Sequence, residues 1–199
     1  MGRPRTVSDE VILEAARAVF LEHGPSASTQ AIADRLTLSQ AALFKRFGTK
    51  QDLMLAALRP PIPPFVAEIR AGPTLDQPLH DQLCSIARDT VVFFRSMVPC
   101  LMVLKSSGLV PEQILRAYDE PPPVMVRRLL TDYFQRAMDA GLARPADPLA
   151  AASLFLGAFH MHSFMSHLTD QLMSDEELFT FSAAVVDVLW HGIAPLEVS

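Results

Sequence analysis

Apolar residues recur at helical spacing along this chain, and no stretch keeps the alternation of polar and apolar residues that a strand needs. The clearest case lies near the N-terminus, between Ser8, an expected N-cap, and the helix-stopping pair Gly24-Pro25. There, one helix face collects five apolar side chains at i, i+3, i+4, i+7 and i+8, which are Ile12, Ala15, Ala16, Val19 and Phe20. The sequence therefore predicts an all-α protein, and we expect about nine helices.

Two short helices are predicted next, over residues 28–36 and 39–47, and each opens with a serine that can act as N-cap. They are joined by the tight connection Thr37-Leu38, and Gly48 ends the second of them. Two helices of about two turns with such a connection are typical of a helix-turn-helix unit. In that unit the second helix enters the major groove of DNA.

The helix over residues 39–47 carries outward side chains that suit contacts with DNA. Leu43 and Phe47 supply its inner face, which leaves five residues free: Gln40, Ala41, Ala42, Lys45 and Arg46. Glutamine can bond adenine, alanine methyls can touch thymine methyls, and Lys or Arg can bind guanine edges or phosphates. The alternative is a structural helical bundle with solvated Lys and Arg. The consistent order of caps, inner residues and small outward residues favours DNA binding.

Four segments of this region resemble the DNA-binding domain of TetR-family regulators: Leu13–Ala16, Ile32–Leu36, Ser39–Phe47 and Thr49–Leu53. The resemblance implies that Gln40, Ala41 and Ala42 read bases and that Phe44 lies beside the phosphate backbone. It also implies a base or phosphate contact for Arg46 and a phosphate contact for Lys50. The complete predicted DNA-binding set is Arg3, Arg5, Ser28, Thr29, Gln40, Ala41, Ala42, Phe44, Lys45, Arg46, Thr49 and Lys50.

Two positions depart from the family pattern. Thr37 stands in the turn where the family usually has glycine, so we expect a backbone that is less strained or slightly different there. Phe44 replaces a tyrosine whose hydroxyl commonly bonds phosphate, so one such bond is expected to be missing. At the N-terminus, Arg3 and Arg5 fit either an arm that enters the minor groove or an ordinary frayed end.

Prolines and charge divide the rest of the chain from this unit. A fourth helix is expected to open at Thr49, which forms an approximate capping box with Asp52. The proline cluster at 60–64 must break or sharply kink this helix, because proline lacks an N–H and clashes with the preceding turn. The first 55 residues carry a formal charge of +1 and the remainder −6, within a total of −5. We predict a DNA-binding domain over 1–58 and an effector-binding and dimerisation domain over 59–199.

A helix from about 77 to 97 is expected to end at Pro99.

One C-terminal segment, residues 149–168, contains no Asp, Glu, Lys or Arg. It is long enough to cross a bilayer, but its three histidines and three serines favour a helix that is buried on nearly every side. By the resemblance, this helix and the last one pair with their copies in a second subunit. The sequence also lacks a secretory signal and a disulfide framework, so we expect a cytoplasmic protein that does not span the membrane.

Aromatic and methionine side chains of the second domain suit an adaptable apolar cavity, although plain core packing explains any one of them as well. The predicted ligand-binding set is Phe94, Met97, Met102, Met125, Phe134, Phe155 and Phe159. Three histidines, His160, His162 and His167, do not converge from one helix, so core or interface roles are preferred to a metal site. Cys84 and Cys100 are interpreted as inert.

These observations predict a ligand-responsive transcription regulator that is released from a palindromic operator by a small, largely hydrophobic effector. We expect a homodimer with no cofactor and no metal. Activation in place of repression, or sensing of metal or redox state through His and Cys, stays open. An enzyme is disfavoured because no nucleophile elbow, phosphate-binding glycine loop or metal-ligand set is present in the sequence.

Overall fold

The computed structural model describes residues 7–191, and this part of the chain is built from ten α-helices and one short 3-10 helix, with no strand. The α-helices, in chain order, are α1 (Asp9–His23), α2 (Thr29–Arg35), α3 (Gln40–Phe47), α4 (Lys50–Leu58), α5 (Val66–Ala71), α6 (Leu79–Ser106), α7 (Pro111–Leu115), α8 (Pro122–Asp139), α9 (Pro148–Thr169) and α10 (Asp175–His191). The all-α prediction is confirmed. The ten α-helices of the described residues agree with the expected count of about nine, and the six-residue helix α5 is the one that was not predicted.

The proline cluster ends α4 as predicted, since α4 stops at Leu58 and α5 begins at Val66. Pro99 does not end a helix, and that prediction is wrong: α6 runs through it for 28 residues. The flanking turns are held by burial, because Val98 and Cys100 are 3% and 1% exposed. Packing on both sides of the proline compensates for the one backbone hydrogen bond that it removes.

The chain forms two compact units, and they do not follow the sequence in order. Among the described residues, one unit contains 7–61 together with Pro99–Ala117, and the other contains Ile62–Val98 and 118–191. The segment Pro99–Ala117 therefore folds with the N-terminal helices, although the sequence analysis assigned it to the second domain. Its apolar residues Cys100, Leu104 and Ile114 belong to the buried core of that first unit.

The core of the first unit fixes α3 against the surrounding helices. Phe20, Ile32, Leu43 and Leu53 are fully buried in it, one from each of α1 to α4. Burying side chains of this size contributes roughly 1.5–3 kcal/mol each. The outward face of α3 is therefore presented by a rigid support.

In the second unit, edge-to-face aromatic contacts tie α8, α9 and α10 together. Phe134 of α8 contacts Phe155 of α9, and Phe159 of α9 contacts Phe181 of α10, each pair with centroids 6.3 Å apart. A polar clamp holds α5 beside them: the Arg136 guanidinium donates to the carbonyls of residues 69–71 at the C-terminal end of α5. A cation at this end of a helix satisfies carbonyls that lack helical partners.

Candidate nucleic-acid interface and effector cavity

Local hydrogen bonds build the connection between α2 and α3. The hydroxyl of Ser28 accepts from the amide of Gln30, and the hydroxyl of Ser39 accepts from the amide of Ala42, so both predicted N-caps are formed. Between them, Thr37 has a φ of 54°. Thr37 therefore takes the left-handed conformation that glycine adopts most easily, at a cost of roughly 1–2 kcal/mol. The turn keeps the shape that a glycine would give it, and the backbone is not less strained there as we had expected.

The exposure of the α3 side chains separates an inner from an outer face. Leu43 is completely buried and Phe47 is half-buried, while Ala41, Phe44 and Lys45 are exposed. Phe44 is a large apolar side chain that is 36% exposed. Ala41, Phe44 and Lys45 thus lie on the side of α3 that faces away from the core, while Gln40 and Ala42 are half-buried.

Gln40 and Thr29 form a pair across the two helices. The Gln40 amide Nε2 donates to the Thr29 hydroxyl, and Thr29 itself is only 5% exposed. This bond occupies one of the two amide hydrogens and leaves the carbonyl oxygen of Gln40 as an acceptor. Thr29, predicted as a DNA contact, therefore acts here on the orientation of Gln40. Ser28 is likewise engaged as the cap of α2.

Arg46 is tied to the beginning of α1. Its guanidinium donates to the backbone carbonyl of Val7 at 2.6 Å and pairs with the Asp9 carboxylate at 2.9 Å. The Arg46 side chain is still 31% exposed. These partners lie 37 or more residues away in sequence, so the spacing within α3 could not have predicted them.

A complete capping box opens α4. The Thr49 hydroxyl accepts from the Asp52 amide, and the Asp52 carboxylate accepts from the amide and hydroxyl of Thr49 at 2.9 and 2.7 Å. These hydrogen bonds stabilise the charged carboxylate and so lower the pKa of Asp52. Lys50 is the first residue of α4, half-buried beside this box. Arg3 and Arg5 lie outside the described residues.

The second unit contains a groove of about 1080 Å³ with mostly aliphatic and aromatic walls from α6, α8, α9 and α10. Two of the seven predicted ligand-binding residues line it, Phe134 and Phe155. Arg144 and Asp147 contribute charges from the loop between α8 and α9, and the Asp147 carboxylate also accepts from the Ala150 amide as the cap of α9. A space with apolar walls and few charges is typical of small-molecule sites.

The other predicted ligand-binding residues occupy different places. Phe94 packs edge to face on His160, Phe159 is fully buried between Phe155 and Phe181, and Met125 accepts a weak hydrogen bond from Arg70. Met97 is 8% exposed, and Met102 belongs to the first unit. Sequence reasoning missed the aliphatic part of the wall, which includes Leu79, Leu83, Leu154, Val188 and Leu189. These residues are aliphatic, so a prediction built on aromatic and methionine side chains left them out.

One side of α9 carries exposed apolar residues, so the expectation of a helix buried on nearly every side is wrong for the single chain. Leu154, Met161, Met165 and Leu168 are 66%, 57%, 44% and 61% exposed, and their spacing puts them on one face. The helix is long and apolar enough to cross a membrane, but this feature alone is weak evidence for a span. It packs on α8 and α10, and its buried residues are Ala152, Phe155, Phe159 and Ser163.

Two histidines of α9, His160 and His162, make aromatic contacts. His162 stacks on Phe181 with centroids 4.4 Å apart, and burial lowers the pKa of its ring. Among residues 7–191, no group of three or more His, Cys, Asp or Glu side chains is arranged to hold a metal ion. Neither cysteine in that range forms a disulfide.

Two family models match the chain. Residues 12–57 match the bacterial regulatory proteins of the tetR family, and residues 95–190 match the C-terminal domain of AefR-like transcriptional repressors. The chain belongs to the TetR family. TetR-family membership makes it a DNA-binding transcription regulator with a helix-turn-helix, and the first match covers the helices that form this unit.

Several solved structures share the fold of this chain at low sequence identity. A TetR-family transcriptional regulator from Mesorhizobium loti is 21% identical, with 91% of this chain and 94% of that chain covered and a TM-score of 0.68. FadR from Bacillus subtilis, in complex with stearoyl-CoA, is 15% identical, with 94% and 100% covered and a TM-score of 0.68. AibR, in complex with isovaleryl coenzyme A and operator DNA, is 21% identical, with 91% and 97% covered and a TM-score of 0.63. No match was found among curated proteins.

Proposed function

We propose that this TetR-family chain is a cytoplasmic repressor that leaves its operator when a small, largely hydrophobic effector binds in the groove of the second unit. The observation that carries the proposal is the combination of an outward α3 face with an apolar groove of about 1080 Å³. Proteins of this family bind operator DNA and small molecules and function as dimers. A coupling of about 1–3 kcal/mol between the two sites is enough for such a switch.

The DNA contacts begin with Gln40, Ala41 and Ala42 at the N-terminal end of α3. Gln40 suits adenine, and the bond from its amide to Thr29 restricts its orientation before DNA arrives. Phe44, Lys45 and Lys50 are proposed to border the phosphate backbone. Phe44 has no hydroxyl, so its contribution is apolar contact rather than a hydrogen bond.

The dimer is formed by α9 and α10. The exposed stripe of Leu154, Met161, Met165 and Leu168 supplies an apolar surface of a kind that monomers rarely leave uncovered. A two-fold axis relates the two α3 helices to the two halves of a palindromic operator. Cover from a second subunit also explains the length and composition of α9 without a membrane.

Matched variants test the dimer. Light scattering of the full chain should give a mass near twice 21.9 kDa. Met161→Asp together with Leu168→Asp should shift this to one chain, because each substitution places a charge in the interface. The control is Leu75→Asp, which changes an 81% exposed leucine outside the stripe. A monomeric wild type, or equal effects of both variants, would rule out this interface.

The effector is a small molecule with a long or broad apolar part. FadR and AibR were solved with acyl-CoA compounds, which makes fatty acyl chains and their CoA thioesters the first compounds to test. The single described arginine on the groove, Arg144, can pair with a carboxylate or phosphate at its edge. Aromatic acids form a second group of test compounds.

The experiment has three steps on the full chain. A duplex site is selected from a random library, compounds are screened for an increase in melting temperature, and each active compound is added to a gel shift. A ligand at 100 times its Kd should stabilise the protein by roughly 2.7 kcal/mol. We expect a palindromic site and loss of the shifted band. Tighter DNA binding with ligand would indicate an activator or co-repressor mechanism and contradict the proposal.

A cavity-filling variant tests the location of the effector. Ala151→Phe adds a ring inside the groove wall and should abolish the thermal shift while the dimer and DNA binding persist. Ala140→Phe, at an exposed residue outside the groove, is the control. Unchanged ligand binding in Ala151→Phe would move the effector site elsewhere.

A further inference from the structure

A hydrogen-bonded chain of three side chains joins α6 to α10, apart from the proposed DNA contacts. His80 Nε2 lies 2.8 Å from Asp187 Oδ1, and His80 Nδ1 lies 3.8 Å from Cys84 Sγ. His80 and Cys84 are four residues apart on α6, so they share one face of the helix. Cys84 is half-buried, and the His80 side chain is 31% exposed. Small molecules can therefore reach this group.

The geometry fixes which nitrogen of His80 carries the proton in the neutral ring. The bond to the Asp187 carboxylate requires a hydrogen on Nε2, which leaves the lone pair of Nδ1 directed at the Cys84 thiol. Asp81 Oδ1 is 3.6 Å from the same Nδ1, which is beyond hydrogen-bond distance. The order is thus nucleophile, base and orienting carboxylate, the arrangement that activates a nucleophilic side chain.

The apolar groove lies beside this group. Leu79 and Leu83, which directly precede His80 and Cys84 in α6, line the groove, and so does Trp190. Trp190 also packs edge to face on the His80 ring, with centroids 5.8 Å apart. His80 and Cys84 do not themselves line the groove, so Trp190, which borders the groove and contacts the His80 ring, is the link between the two.

We propose that Cys84 is a covalent attachment site for small apolar α,β-unsaturated carbonyl compounds, with His80 as the base and Asp187 as the residue that positions it. The Cys84 S–H proton moves to His80 Nδ1 while the sulfur bonds to the β-carbon of the acceptor. The π pair of the C=C bond shifts to give an enolate. The enolate carbon then takes the proton from the His80 imidazolium, which leaves a thioether and the original His80. No oxidant or reductant is needed.

The surroundings of Cys84 explain why the thiol needs a base. Burial raises its pKa first, the carboxylates of Asp187 and Asp81 raise it further, and Arg88 lowers it. The resting thiol is therefore protonated near neutral pH, and attack requires that a neighbour remove the proton. Cys100 is only 1% exposed, and burial raises the pKa of its thiol as well, so small molecules reach it far less easily than Cys84.

Timed labelling of the full chain with limiting N-ethylmaleimide tests the proposal. Peptide mass spectrometry reports Cys84 and Cys100 separately, without any need for DNA binding, so the result does not depend on the proposed repressor function. We expect Cys84 to react first. His80→Asn should slow its labelling about tenfold or more, because general-base assistance is lost. Asp187→Asn should also slow the labelling of Cys84, because the carboxylate no longer holds the His80 ring in the tautomer with its proton on Nε2.

Asp81→Asn is the matched control, since it removes the other carboxylate that raises the thiol pKa but does not bond to His80. If both carboxylates acted only through charge, both variants would speed up the labelling of Cys84. Faster labelling in Asp187→Asn, or equal rates at Cys84 and Cys100 in the wild type, would overturn the proposal. Slow labelling of Cys100 in each variant verifies that the fold is intact, and the Asp187→Asn result stands if His80→Asn does not fold.

Discussion

The ion pair between Arg46 and Asp9 sets up a competition between folding and DNA binding. Arg46 is a predicted DNA contact, yet its guanidinium bonds to Val7 and Asp9 at the start of α1. Arg46→Ala should therefore lower both stability and operator affinity. Asp9→Asn should lower stability slightly and raise operator affinity, because it releases Arg46 and removes an acidic group beside it. Arg46→Ala should lower operator affinity and Asp9→Asn should raise it. A purely structural role of the ion pair would not give opposite changes.

The magnitudes follow from the contacts. The Arg46–Asp9 pair is 31% and 62% exposed, so it contributes about 0.2–1 kcal/mol. The charge-assisted bond to the Val7 carbonyl adds roughly 1 kcal/mol. Arg46→Ala should thus cost about 1–2 kcal/mol, and Asp9→Asn at most about 1 kcal/mol. Since two unit charges 4 Å apart in water exchange about 1 kcal/mol, Asp9→Asn should tighten operator binding up to about fivefold.

Fluorescence anisotropy with the selected operator at several salt concentrations measures the affinities, and circular dichroism measures the melting temperatures. If Arg46 contacts phosphate, Arg46→Ala should also reduce the salt slope by about one. Glu10→Gln is the control, since it removes a neighbouring exposed acid that forms no ion pair among the described residues. The reasoning fails if Arg46→Ala lowers stability while operator affinity and salt slope stay at wild-type values.

Three further predictions concern the folding of the two units. Leu43→Ala should destabilise the first unit by about 2–5 kcal/mol in denaturant unfolding and abolish the gel shift, because Leu43 is completely buried. Lowering the pH should reduce the melting temperature of the wild type more steeply than that of Asp52→Asn. The folded state depresses the pKa of Asp52, so its contribution is present at neutral pH and lost as the pH falls below about 4. Gly72→Ala should lower the melting temperature more than Gly141→Ala. Both glycines have positive φ, but only the Cβ at position 72 would collide with the Arg136 guanidinium; equal losses would contradict the clamp.

The N-terminal helices were predicted well because local interactions specify them. Ser8, Ser28, Ser39 and Thr49 cap the four helices as expected, each through a bond to an amide two or three residues ahead. Apolar spacing gave the inner residue Leu43 correctly, since the period of a helix relates near neighbours only. The conformation of Thr37 was less predictable, because the turn is imposed by the helices that it connects.

The sequence by itself determined that the chain is helical, where its first four helices begin, and which face of α3 looks outward. Each of these depends on residues within one or two turns of one another. Only the tertiary structure decided that α6 continues through Pro99, that Arg46 bonds to Asp9, and that His80 meets Asp187 from 107 residues away. Contacts of this kind form between distant parts of the chain, where packing of the whole unit outweighs local preference. Helix periodicity therefore indicated the elements, and their packing decided which side chains share a site.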